Sequence, residues 1–287
     1  IDPEGGEAAP IVNKEAFKEA AKRFAKALME HPVTSQGLTN YGTDILINII
    51  NEAGGLPTRN FSSGRFEGAD KVGGESLNKI TLERKGDPSH GCMAGCIIRC
   101  SGTYLDKDGQ YLSKWPEYET VWALGPNCGI DDLDAIARMD RACDDYGVDT
   151  IEMGAAIGVA MEGGVKEFGD AAGAEELLAE IGKGSPLGRI LASGAGAVGK
   201  AFGVTRVPVV KNQALPAYDP RAVKGMGVTY ATTPMGADHT AGYCVTANIM
   251  NVGGQLDPLA VKGQSELSSG LQVATAVIDT VGLCLFV

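Results

Sequence analysis

The chain has 287 residues, of which 36 are acidic and 25 basic, for a formal net charge of −11. That length allows one large domain or two modest ones, and the acidic balance argues against nucleic acid or an anionic membrane surface as a partner, because phosphate recognition needs clustered Lys and Arg. No apolar run of about eighteen residues is present, so no transmembrane helix is expected, and no charged-then-apolar leader opens the chain.

Asn13 is placed to cap a helix over 13–30, in which Phe17, Ala20, Ala21, Phe24, Ala25 and Leu28 fall on one stripe at helical spacing. His31-Pro32 ends it. A second helical pattern, over 43–53, carries Ile45, Ile47, Ile49 and Ile50 and closes at Gly54-Gly55. Residues 56–73 read as a polar, Gly-rich loop and 74–84 as a short helix. A cysteine-bearing loop at 90–101 leads into a β-hairpin over 102–114, turning at Asp106-Lys107-Asp108-Gly109. Residues 130–146 form a helix with Leu133, Ile136, Met139 and Ala142 inward, and with Asp131 and Asp132 at the end the helix dipole favours. The run 150–161 is nearly all apolar, hence a buried helix, and short helices follow at 174–182 and 185–194. Residues 203–228 look irregular and Pro-rich, and the last helices are expected at 241–250 and 264–279. The fold class is therefore mainly α and multihelical with a small β-hairpin. The change of pattern after residue 205 suggests two packed helical subdomains, 1–205 and 206–287. The opening Ile1-Asp2-Pro3 and the apolar end Gly282–Val287 both read as cut points in a longer protein.

Seven cysteines stand at 92, 96, 100, 128, 143, 244 and 284. An odd number with three tightly clustered does not fit a secreted disulfide scaffold, and a metal centre in a reducing cytoplasm fits better. In His90-Gly91-Cys92-Met93-Ala94-Gly95-Cys96-Ile97-Ile98-Arg99-Cys100, two glycines let the backbone wrap a compact centre. A [4Fe–4S] cluster takes four thiolates, often three from one loop and one from afar. Structural zinc also takes three or four, but its paired CxxC turns are absent. The third reading is three thiols with no metal.

Downstream, Asp144-Asp145-Tyr146-Gly147-Val148-Asp149 fits DxxGxD, and Asp279-Thr280-Val281-Gly282-Leu283-Cys284 fits DxxGLC. Each follows an apolar helix and reads as a turn with Gly just past a helix C-terminus. Glu117-Tyr118-Glu119-Thr120, Ala217-Tyr218-Asp219-Pro220-Arg221 and Gly236-Ala237-Asp238-His239-Thr240 add to the pattern. The combination, from about residue 35 onward, resembles the aldehyde:ferredoxin oxidoreductase family, whose members carry tungsten, sometimes molybdenum, on two pterins. One departure concerns the first two cysteines: the family usually separates them by two residues, whereas three separate Cys92 from Cys96.

The resemblance implies that Cys92, Cys96, Cys100 and Cys284 hold a [4Fe–4S] cluster, leaving Cys128, Cys143 and Cys244 as packing residues. It implies that Asp144, Asp149 and Asp279 accept hydrogen bonds from the pterins, whose adjacent donors suit a carboxylate, with Gly147 and Gly282 in the turns and Leu283 offering a backbone group. Glu119, with Glu117 as its rival, becomes the base that takes a proton from water, and His239 the group that polarises the carbonyl. His90 and Arg99 flank the cluster ligands, and Arg221 is read as structural. The implied reaction is oxidation of an aldehyde to a carboxylic acid, with electrons passing singly to ferredoxin or a similar carrier. A homodimer is compatible with this reading. The family's β-rich N-terminal domain has no counterpart in the sequence, so this chain alone is expected to be inactive and to retain little or no pterin. Two other readings are a [4Fe–4S] electron-transfer module without pterin, and a structural zinc or interaction domain.

Overall fold

A computed structural model describes residues 10–286. In chain order the helices are α1 (Lys14–Glu30), α2 (Thr39–Tyr41), α3 (Ile45–Glu52), α4 (Ala69–Val72) and α5 (Gly74–Glu83). Strands β1 (Asp87–His90), β2 (Ser101–Leu105) and β3 (Tyr111–Lys114) follow. Then come α6 (Tyr118–Leu124), α7 (Leu133–Tyr146), α8 (Thr150–Glu162), α9 (Ala171–Lys183), α10 (Pro186–Leu191) and α11 (Ala195–Phe202). A short ribbon, β4 (Val209–Val210) with β5 (Gln213–Ala214), precedes α12 (Lys224–Thr232) and α13 (Gln264–Val281). The mainly α class expected from the sequence is what the structure shows. No helix among the described residues is long and apolar enough to cross a membrane.

Helix α8 forms the centre of the core. Every residue from Met153 to Met161 is buried, as an unbroken apolar run demands, and α6, α7, α9, α10 and α11 pack around it. Glycine makes the α6–α8 approach close: a Cβ on Gly154 would stand 2.5 Å from the carbonyl carbon and oxygen of Ala123. Helix α6 is buried from Tyr118 to Leu124 except at Glu119, and its Trp122 indole N–H donates to the Pro57 carbonyl at 2.7 Å. The hydrophobic core runs on through Tyr218, Met226, Tyr230 and Val245.

Several expectations are corrected in detail. The hairpin gains a third strand, β1, so the cysteine loop is strung between β1 and β2 of an antiparallel sheet. Residues 33–38, unassigned from the sequence, form a π-helical turn, with Thr34 Oγ1 donating to the His31 carbonyl at 3.1 Å. The helix expected over 185–194 forms at Pro186–Leu191, and a further helix not expected from the sequence, Ala195–Phe202, starts after Gly194, which takes φ +87°. The stretch thought irregular to 228 already contains α12. The helix expected over 241–250 is only a π turn at Thr246–Met250, because the Gly242 carbonyl accepts from Thr229 Oγ1 at 2.8 Å rather than from a helical N–H. Helix α1 forms with its Asn13 cap, the side chain accepting from the Ala16 N–H at 3.0 Å, yet its apolar stripe is uncovered among the described residues.

Two glycines separate steric from conformational cost. Gly154→Ala is expected to destabilise the chain by about 1–3 kcal/mol through overpacking. Gly147 at φ +67° has open space where a Cβ would sit, so Gly147→Ala should cost only the left-handed backbone, about 1 kcal/mol. Denaturant unfolding of both variants measures the difference, and equal losses would contradict the close α6–α8 contact.

Candidate active site and cysteine loop

The first turn of α6 carries two carboxylates that face different surroundings. Glu119 Oε2 accepts the Ala217 N–H at 2.9 Å. Its Oε1 lies 3.5 Å from His239 Nε2 and is otherwise buried without a hydrogen-bond partner. Burial raises the Glu119 carboxyl pKa, His239 and the Ala217 N–H oppose the rise, and nearby Asp149 adds to it. His239 is held in a polar turn in which Asp238 Oδ1 accepts both the Thr240 N–H and its hydroxyl at 2.8 Å. The ring of Tyr218 lies 6.0 Å from the imidazole, centroid to centroid. Tyr118 and Tyr218 help fix the segment that meets Glu119: Tyr118 Oη donates to the Ala217 carbonyl at 2.8 Å, and the Tyr218 and Tyr243 hydroxyls bond at 2.7 Å. The fold thus brings together the two residues singled out as a base and a polarising imidazole, although they lie far apart in sequence.

Glu117, the rival carboxylate, faces elsewhere. Its Oε2 accepts from Thr43 Oγ1 at 2.7 Å, and its charge reaches Cys100. That separates it from His239 and assigns the two glutamates to different neighbourhoods.

The cysteine loop is anchored at one end and open at the other. Thr39 Oγ1 donates to the Ile98 carbonyl at 2.7 Å, and the Arg99 side chain holds Ser89 on β1. Cys92 is exposed, and Gly95 turns at φ +81° in open space. The Arg99 N–H donates to Cys96 Sγ at 3.4 Å, the kind of bond that stabilises a metal-bound thiolate. Burial, with Glu117, Cys284 and Cys96 adding to it, pushes the Cys100 thiol up to about 12, so Cys96 and the remote Cys284 both lie within electrostatic reach of Cys100. Cys92 does not figure among those neighbours. Among the described residues, no three Cys, His, Asp or Glu side chains close on a single ion. The donor set of soft thiols on a pliable loop, with an N–H···S bond already made, suits an iron–sulfur cluster. Cys128, Cys143 and Cys244 are fully buried, and the Cys128 thiol, pushed up to about 12 by burial, donates to the Ala123 carbonyl at 3.3 Å. They behave as packing residues.

The two Asp-containing turns share one geometry. At the end of α7 the Gly147 N–H donates to the Asp144 carbonyl and the Val148 N–H to the Cys143 carbonyl. At the end of α13 the Gly282 N–H donates to the Asp279 carbonyl and the Leu283 N–H to the Ile278 carbonyl. Both are Schellman caps with glycine in the left-handed region. The Leu283 N–H is therefore spent in its own turn, and only its carbonyl remains to be offered. Asp144 is half-exposed and lies 3.6 Å from Lys114, while Asp279 has no side-chain partner among the described residues. A carboxylate near a helix C-terminus gains nothing from the helix dipole, so helix stability does not explain either residue. That fits a role in accepting hydrogen bonds from pterin donors. Asp149 already has a local task, since its Oδ2 caps α8 by accepting the Glu152 N–H at 2.7 Å. Arg221 ion-pairs with Asp219 and donates to the Phe61 carbonyl, which bears out its structural reading.

A third feature escaped the sequence reading. Asp44, Glu117 and Asp140 form a buried acidic group beneath the cysteine loop, each raising or being raised by another. Asp140 could have been found from spacing, because it lies with Leu133, Ile136 and Cys143 on the inward stripe of α7.

Residues 19–287 match the family model described as aldehyde ferredoxin oxidoreductase, domains 2 and 3. The chain is 36% identical over 302 residues to a tungsten-containing aldehyde ferredoxin oxidoreductase of Thermococcus kodakarensis, covering 100% of this chain and 49% of the relative. It is likewise 36% identical to a protein of the same description from Pyrococcus furiosus, again over 100% of this chain and 49% of the relative. A more distant likeness, 24% identity over 80% of this chain, is to an aliphatic sulfonate oxidoreductase, WOR-like subunit, of Pyrococcus furiosus, of which 40% is covered. The chain spans about half the length of the relatives it matches most fully. Through this match along nearly its whole length, the chain belongs to the aldehyde ferredoxin oxidoreductase family.

Proposed function

We propose that the protein to which this chain contributes oxidises an aldehyde to a carboxylic acid at a tungsten or molybdenum bis-pterin centre and passes the electrons singly, through a [4Fe–4S] cluster, to a ferredoxin-like carrier. The observation that carries the reading is the Glu119–His239 pair: a buried carboxylate with one free oxygen, 3.5 Å from an imidazole. When bound, the metal centre supplies the two-electron redox chemistry, and the protein supplies orientation and electrostatics.

Glu119 Oε1 takes the proton of the attacking water, because it is the oxygen of that carboxylate left without a hydrogen bond. The Ala217 N–H fixes the other oxygen and so sets the direction of the free one. His239 Nε2 faces the same space and donates to the developing oxygen of the substrate. The tyrosines around the pair exclude water and hold the Ala217 segment in register. Cys92, Cys96, Cys100 and Cys284 would hold the cluster, and Cys100, whose proton burial retains, would have to give that proton up to bind as a thiolate. Asp144 with Gly147 and Asp149, and Asp279 with Gly282 and Leu283, hold the two pterins. Cysteine usage supports a reducing, cytoplasmic setting for the protein.

In the full-length enzyme, Glu119→Gln or His239→Ala should lower kcat about 10²–10⁴-fold while the visible cluster absorbance stays unchanged. Normal turnover in either variant removes that residue from the mechanism.

The pH profile gives an independent check. The base must be ionised, and burial holds the Glu119 pKa above its usual value while His239 restrains it. Activity therefore falls as pH drops through that raised pKa. In His239→Gln the restraint is lost, so the acid limb of the residual kcat/KM should move to higher pH. An unmoved or downward-shifted limb contradicts the coupling.

A further inference from the structure

The acidic group beneath the cysteine loop has no place in the reaction just described. Asp140 is fully buried, and neither of its carboxylate oxygens has a hydrogen-bond partner among the described residues. Asp44, 1% exposed, has one such unpartnered oxygen. Leaving three polar oxygens without partners in a core is costly, and an ionised carboxylate there costs more still. Burial, opposed by Lys114 and reinforced by Asp144 and Glu117, pushes the Asp140 carboxyl up to about 7. Asp44 is raised by burial, then by Glu117 and Asp140, and Cys143 also lies within reach of Asp140.

The position of this group is as informative as its burial. Glu117 lies within electrostatic reach of both Cys100 and Asp140, so it stands between the cysteine loop and the buried aspartates. On its other side Asp140 feels Lys114 and Asp144, which pair at 3.6 Å and are each about half exposed, at 48% and 50%. One end of the group thus faces the proposed cluster and the other faces the Lys114–Asp144 pair. No three of these acids close on a single ion, so the arrangement suits a proton rather than a metal.

We propose that Asp140, supported by Asp44 and Glu117, is a proton store coupled to the cysteine loop: it takes up one proton by way of Lys114 when one electron is held at the loop, and releases it when the electron leaves. The proposal rests on the cluster reading given above. The balance closes with the proposed reaction, since an aldehyde and water give a carboxylic acid, two electrons and two protons. Each electron passing singly is accompanied by a proton that neutralises the added negative charge, and no other reactant is needed. Low local dielectric makes the compensation large: an added charge near Glu117 and Asp140 raises their proton affinity.

The test is an EPR-monitored redox titration of the full-length enzyme from about pH 6 to about pH 9, where the midpoint potential should fall by up to about 59 mV per pH unit for one proton per electron. In Asp140→Asn the slope should be lost. Lys114→Met removes the positive charge that opposes the rise at Asp140, so there the pH-dependent region should move to higher pH with its slope kept. This second variant keeps the test decisive if Asp140→Asn does not fold. Infrared difference spectra should show a protonated carboxyl carbonyl band gained on reduction of the wild type. A pH-independent potential in wild type, an unchanged slope in Asp140→Asn, an unmoved profile in Lys114→Met, or no carboxyl band on reduction would overturn the proton store while leaving the cluster reading standing. Absence of any iron–sulfur signal would overturn both.

Discussion

The arrangement depends on burying carboxylates at the first turn of α6. This helix is sunk against α8, where only glycine at 154 lets the backbones meet, and its N-terminal residues therefore enter the core with their charges. The helix dipole favours negative charge at that end, which offsets part of the burial cost. The rest is met residue by residue: Thr43 bonds Glu117, and the Ala217 N–H bonds Glu119. Because Glu117 precedes the helix and Glu119 lies within its first turn, one faces the cysteine loop and the other faces His239. A single short helix thereby sets the spacing between the two parts of the proposed chemistry.

The two Asp-Gly turns follow a second constraint. A Schellman cap satisfies the last carbonyls of a helix with its own following N–H groups, leaving the turn rigid and its side chains free. Helix α9 ends with the same cap at Gly184 but has Ile181 in the position of Asp144 and Asp279, its acid Glu180 standing one residue earlier. In α7 and α13 the residue three before the cap glycine is an aspartate, at the helix end where the dipole disfavours it. Destabilising choices of this kind are expected where recognition outweighs local stability.

Much of the fold was legible in the sequence because its signals were strong. The buried run at 150–161, the capped amphipathic helix ending at Tyr146, and the Asp106–Gly109 turn all form where composition placed them. Helix α6 was not legible: it is short, lies between Pro116 and Gly125, and is buried on nearly every side, so it has no periodicity to read. Helix α12 was masked by Gly225, Gly227 and the prolines before it. The Glu119–His239 pairing rested on motif likeness, and no spacing rule could have placed the two within contact. The buried acids were missed for a different reason. An isolated Asp on an amphipathic helix normally points to solvent, and only the stripe shared with Leu133, Ile136 and Cys143 betrays Asp140.

The central claim is that one loop's thiols and the remote Cys284 hold iron together, for which the electrostatic reach from Cys284 and Cys96 to Cys100 is the structural basis. Iron and sulfide analysis of the full-length protein purified without oxygen, as wild type, Cys284→Ser and Cys128→Ser, tests it most directly. About four irons per chain in wild type and Cys128→Ser, with most of that iron lost in Cys284→Ser, is the predicted result. Full iron in Cys284→Ser, or zinc in place of iron in the wild type, would contradict it.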